Sequence, residues 1–183
     1  MSLLSYDELM ALVARGVITG VDPDYVNATS IDITLGKKIL REDWDGNFEN
    51  GFKTISLSKR EPLVMSEYDC TNGFLLEPGD FILAQSEQTF NLPNDISCEY
   101  KLKSSMARIG INHCLAGWCD AGWNGSVLTL EFMNMTTHHA IELKAGDKIG
   151  QMIFFSHRMV PNDRSYAARG RYNNDKEVKG IKE

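Results

Sequence analysis

The sequence predicts a mainly β chain, a sandwich or barrel with a short helix at its start and one further short helix. Two observations carry this: short segments alternating apolar and polar residues, and turn-forming clusters that separate them at strand-like intervals. A third is size. At 183 residues the chain fits one domain over 1–183, and its 43% hydrophobic, 24% charged and 9% aromatic composition supports a buried core. That composition excludes collagen-like, disordered and disulfide-scaffold chains.

In chain order, Ser5 reads as the N-cap of a helix within 1–20, with Leu4 and Leu9 as a staple and Glu8 closing a capping box. Leu9, Leu12 and Val13 share its face, and Gly16 ends it. Strands are then expected at 31–35, 73–76, 81–84 and 96–100, and later at 126–132 and 148–155. The separators are Asp45-Gly46-Asn47, Glu77-Pro78-Gly79-Asp80, Leu92-Pro93-Asn94-Asp95, Asn124-Gly125 and Ala145-Gly146-Asp147. The second helical turn is expected at 104–110. Segment 41–60 reads as an irregular hairpin or arm, and the polar stretch over 161–183 as a loose end or a lid.

Lys and Arg total 19 against 25 Asp and Glu, a net charge of −6. That leaves no basic surplus for a nucleic-acid polymer, whereas a nucleotide needs only a few local cations and backbone amides. No apolar run approaches ~18 residues, and Met1 to Glu8 has neither a basic nor an apolar targeting stretch, so a cytoplasmic protein with no membrane partner is expected. Cys70, Cys98, Cys114 and Cys119 are dispersed, which points to free thiols.

Three segments could carry chemistry. In Lys101-Leu102-Lys103-Ser104-Ser105-Met106-Ala107-Arg108, two hydroxyls precede a short helix between cations, which reads as a phosphate cradle or as a Ser N-cap with solvated charges. In 116–125 three glycines permit close backbone approach, Trp118 and Trp123 could wall a pocket, and Asp120 is a ligand contact or a turn aspartate. Glu131 interrupts the apolar run Leu128-Thr129-Leu130-Glu131-Phe132 and shares a face with Thr129. It points either to water or into a pocket, where it could act as a general base. A zinc-deaminase signature of His-x-Glu and Pro-Cys-x-x-Cys is absent from the sequence, and no metal ligands or zinc are expected.

Taken in order, these segments resemble the deoxycytidine triphosphate (dCTP) deaminase branch of the dUTPase-like superfamily, over about Ser30 to Asp175. The resemblance rests on Ala28-Thr29-Ser30-Ile31-Asp32-Ile33-Thr34-Leu35-Gly36, Ser104-Ser105-Met106-Ala107-Arg108, Ala116-Gly117-Trp118-Cys119-Asp120-Ala121-Gly122-Trp123, Thr129-Leu130-Glu131 and Gly146-Asp147-Lys148-Ile149-Gly150-Gln151. It implies a distorted-barrel or jelly-roll-like subunit, a homotrimer, and active sites between subunits. It also implies deamination without a catalytic metal: Glu131 takes a proton from the water that attacks cytosine C4, with Ser104, the Ala116 backbone and Arg108 around it and Asp120 on the nucleoside. Phosphates would meet Lys103, Ser104, Ser105 and the amides through Met106 and Ala107 to Arg108, aided by Gln151, Tyr166, Arg171 and Asp175. Thr129, Leu130 and Glu131 would contact the nucleoside. Mg²⁺ would ride on the phosphates, the tail would act as a lid, and dTTP feedback would involve the turn holding His113.

Against the family pattern, Lys103 replaces an Arg, the Arg108–Ala116 spacing is one residue short, and the stretch from Gly125 to Glu131 is one residue long, which requires a bulge. Asp175 stands where a neutral amide is expected. It either helps hold Mg²⁺ or signals a preference for a less phosphorylated nucleotide. The leading expectation is dCTP deamination to dUTP and ammonia. The alternatives are a bifunctional deaminase and diphosphatase giving dUMP, or a non-catalytic nucleotide-binding regulator; the expected partner is a small-molecule nucleotide, dCTP, with dUTP and dTTP as further candidates.

Overall fold

A computed structural model describes residues 1–44, 46 and 52–182. After a two-residue strand, β1 (Ser2–Leu3), the first helix, α1, spans Tyr6–Ala14. The Glu8 carboxylate accepts hydrogen bonds from the Ser5 N–H at 2.9 Å and its hydroxyl at 3.0 Å, so the first turn is closed as the sequence predicts. Leu4, Leu9 and Leu12 are buried. Gly16 turns the chain with a positive φ of 72°, and β2 (Ile18–Thr19) follows, so 1–20 is more than a helix.

The remaining long strands are β3 (Ile31–Glu42), β6 (Phe81–Asn91), β7 (Ile96–Leu102), β10 (Asn124–Asn134) and β12 (Lys148–Ser156). Shorter ones are β4 (Met65–Asp69), β5 (Phe74–Leu76), β8 (Ile111–Asn112), β9 (Trp118–Cys119) and β11 (Ile141–Leu143). Ten of them form one curled antiparallel sheet with the order β8-β10-β6-β3-β12-β7-β9, to which β1 adds on β12, β2 on β6 and β4 on β3. β5 and β11 pair separately. The chain is thus mainly β.

β3 departs from simple alternation, because residues 31–36 are all buried. Ile31, Ile33 and Leu35 enter the apolar core, while Asp32 and Thr34 on the opposite face are covered by a polar network. Gln88 both accepts from the Thr34 N–H at 3.0 Å and donates to its hydroxyl at 2.8 Å. A buried polar face survives only when paired in this way.

Several expectations are corrected. Asn124-Gly125 lies inside β10 rather than in a turn: Asn124 pairs with Asn91 and Ser126 with Phe90, leaving Gly125 as an unpaired bulge with φ 66°. The helix at 104–110 is one turn, α2 (Ser104–Arg108), with Lys103 rather than a serine at the N-cap. A third helix, α3 (Tyr166–Arg169), sits in the tail. The arm has its base where β4 pairs with β3, its described part, 52–64, has no strand, and the Asp45-Gly46-Asn47 turn lies outside the described residues apart from Gly46.

The tail is fastened down. The Trp123 indole N–H donates to the Tyr172 carbonyl at 2.7 Å, Asn174 N–H to the Asn124 carbonyl at 3.1 Å, and Val127 N–H to the Asp175 carbonyl at 2.9 Å. Val178 is buried, with its N–H on the Gln85 side chain at 2.9 Å. All four cysteines are free thiols, and no helix among the described residues is long and apolar enough to cross a membrane.

Candidate active site

β10 positions Glu131. Leu128, Leu130 and Phe132 turn to the core, and Thr129, Glu131 and Met133 occupy the half-buried face, as the period of two requires. The pairing of β10 with β6 is irregular twice ahead of Glu131, at Gly125 and between Val127 and Thr129, after which Glu131 pairs across to Leu83 and faces a cavity of about 500 Å³. Burial pushes its carboxyl above the usual glutamate range, offset in part by a backbone hydrogen bond. A carboxylate so placed holds and releases a proton more readily at neutral pH than an exposed one.

The cavity brings Glu131 together with Thr129, Asp120, Tyr166 and Asp175, walled by Trp118 and Trp123. Trp118 donates its indole N–H to the Asp120 carboxylate at 2.9 Å, and Trp123 stacks on Phe90 at 5.2 Å. Behind Glu131, a narrow crevice is shared with Tyr100, His113, Ala116, Leu128, Thr129 and Leu130. The turn carrying Ala116 places two successive non-glycine residues, Cys114 and Leu115, at φ 54° and 59°, a sparsely populated region. Asn112 steadies it by accepting the Cys114 N–H at 2.8 Å. Burial lowers the His113 pKa, with Lys101 acting in the same direction, and its ring stands edge-on to Tyr100 at 5.5 Å.

Other predicted residues lie elsewhere. Lys103, Ser104, Ser105, Met106, Ala107, Arg108, Gln151 and Arg171 do not line the Glu131 cavity. Ser104, Ser105 and Arg108 are exposed on α2, while Met106 packs against the core. Lys103 is engaged instead by the buried Asp32 at 2.6 Å, which also meets Lys148 at 3.3 Å and Asn27 at 3.0 Å. Burial opposes ionisation of Asp32, yet these partners together hold its pKa below the usual aspartate range. Gln151 accepts from the Ser30 hydroxyl at 3.3 Å.

The cavity also uses residues that sequence reasoning did not single out. Phe81 and Leu83 of β6, Leu63 and Met65 beside the arm, and Tyr172, Lys179 and Ile181 of the tail all line it. Alternation in 81–84 signalled the first two; the tail residues meet the site only through long-range folding. Asp175, expected beside a cation or phosphate, is buried and paired with Lys182 at 2.6 Å and Lys179 at 3.3 Å. Among the described residues, no three His, Cys, Asp or Glu side chains converge as metal ligands.

A family model described as dCTP deaminase-like matches residues 3–157. A protein of Acidothermus cellulolyticus named dCTP deaminase, dUMP-forming, is 37% identical over 84% of this chain and 79% of its own length. The protein of the same name from Pseudarthrobacter chlorophenolicus is 32% identical over 87% and 81%. The crystal structure of 2'-deoxycytidine 5'-triphosphate deaminase from Agrobacterium tumefaciens superposes with a TM-score of 0.66 at 25% identity, covering 88% of this chain. This chain spans 50% of that longer one.

Proposed function

The chain belongs to the dCTP deaminase-like family, and on that premise we propose that it deaminates a deoxycytidine nucleotide, dCTP, and carries the product on to dUMP. The observation that carries the reading is Glu131, a half-buried carboxylate of raised pKa facing a walled cavity beside Asp120. The dUMP-forming names of the relatives favour this alternative over release of dUTP, the product first expected.

In this reading Glu131 accepts a proton from a water as its oxygen bonds to cytosine C4. It delivers that proton to ring N3, then takes the remaining proton from the C4 hydroxyl of the tetrahedral adduct and passes it to the amine, so that the C4 carbonyl forms as the C4–N bond breaks and ammonia leaves. The Ala116 backbone and Thr129 border the water and base, and Trp118 fixes the Asp120 carboxylate toward the nucleoside. For dUMP, a second water attacks the α-phosphorus with Asp120 as its base, and pyrophosphate departs. Mg²⁺ carried on the nucleotide would supply charge neutralisation there.

The cavity contains four carboxylates, Glu61, Asp120, Glu131 and Asp175, against two cations, Arg60 and Lys179. A triphosphate is therefore poorly matched by one chain. The exposed Ser104, Ser105 and Arg108 fit a site completed by a neighbouring copy, which supports a homotrimer with composite sites. The test is incubation with dCTP and Mg²⁺, resolving dUTP, dUMP and pyrophosphate. Stoichiometric dUMP and pyrophosphate are expected; accumulation of dUTP that is never cleaved would restore the monofunctional reading.

A further inference from the structure

Asp175 poses a physical puzzle, because a buried carboxylate lining a cavity read as a nucleotide site repels an anionic ligand. The structure answers it with two lysines. Lys182 donates to both Asp175 oxygens, at 2.8 and 2.6 Å, and its ammonium also reaches the Arg171 carbonyl at 2.9 Å. Lys179 meets the same carboxylate at 3.3 Å, stays 57% exposed, and lines the cavity with Tyr166 and Glu131. Two cations on one carboxylate leave one positive charge in surplus, and the more solvent-open of the two is the one facing the cavity.

The backbone that carries this pair is anchored to the sheet. The Asp175 N–H donates to the Ser126 hydroxyl at 3.1 Å, and Val178, immediately before Lys179, is buried and hydrogen-bonded to Gln85. Both anchors lie on β10 and β6, the strands that frame Glu131. We infer that Lys179 is a phosphate-binding residue of the nucleotide site and that Asp175, which Lys182 also neutralises, is a positioning residue that holds Lys179 on the cavity. Asp175 thus contributes to binding the phosphate chain through Lys179 and not as a metal ligand.

The inference rests on the nucleotide reading above, and inorganic tripolyphosphate separates the two. By titration calorimetry on the intact protein, Lys179→Ala weakens tripolyphosphate binding about tenfold, as loss of one charge-assisted contact does, and Lys179→Arg restores most of it. Asp175→Asn weakens it as well. In steady-state kinetics the KM penalty of Lys179→Ala is larger for dCTP than for dCMP, which a purely structural lesion would not produce. Tripolyphosphate binding that is absent, or the same in Lys179→Ala and wild type, overturns the inference. Lys179-dependent binding in a protein that turns over no dCTP sinks the deaminase reading and leaves the clamp standing.

Discussion

Two carboxylates embedded in the same sheet are tuned in opposite directions, and the difference is one of partners. Asp32 has Lys103, Lys148 and Asn27 around it, and these outweigh its burial. Its depressed pKa contributes stability above the unfolded aspartate value, and that contribution is lost as pH falls through the folded value. Asp32→Asn is expected to cost about 2 kcal/mol at pH 7, with the gap to wild type closing in acid; urea unfolding at two pH values measures it. Equal losses at both would show that charge is not the cause. Glu131 lacks a cationic partner among its pKa determinants, so its raised pKa means that its ionised form costs stability once pH rises through that value. Glu131→Gln is therefore expected to melt higher than wild type at pH 7 and to lose that advantage below about pH 4, near the unfolded glutamate pKa.

At the scale of elements, β10 and the tail are one unit. Gly125 is the first of two irregularities in β10 ahead of Glu131, and a Cβ there would run into the Asn174 side chain. Gly125→Ala is expected to destabilise the fold by about 1–2 kcal/mol, since alanine resists positive φ, and to loosen 171–182. Limited proteolysis reads the second effect: faster tail cleavage is expected, and an unchanged tail would separate the two. Much of this was legible beforehand. The alternation of 126–132 located β10 and the Glu131 face, and Ser5 with Glu8 located α1. The breaker rule failed at Asn124-Gly125, because the same residue types that make turns also make bulges. The tail was opaque because its order comes from single hydrogen bonds to Trp123, Asn124, Ser126 and Gln85, none of which has a local sequence pattern. Asp175 was legible as an anomaly, while its lysine partners were not.

For the whole molecule, the single chain gathers the general-base side of the site and leaves the hydroxyls and Arg108 of α2 facing outward. If neighbouring copies exchange these halves, Glu131→Gln and Ser104→Ala subunits, each inactive alone, regain activity when mixed and reassembled. About a quarter of the sites then carry both intact halves. No recovery in mixtures that demonstrably co-assemble would place Ser104 outside the site.

If Glu131 moves the protons of deamination, ammonia release from dCTP depends on its carboxylate. Wild type with Mg²⁺ is expected to release one ammonia per dCTP, with an acid limb in kcat/KM set by the raised Glu131 pKa. Folded Glu131→Gln is expected to be slower by on the order of 10²- to 10⁴-fold. Ammonia release by Glu131→Gln at the wild-type rate would remove Glu131 from the proton path, and none from wild type would remove the deaminase activity itself.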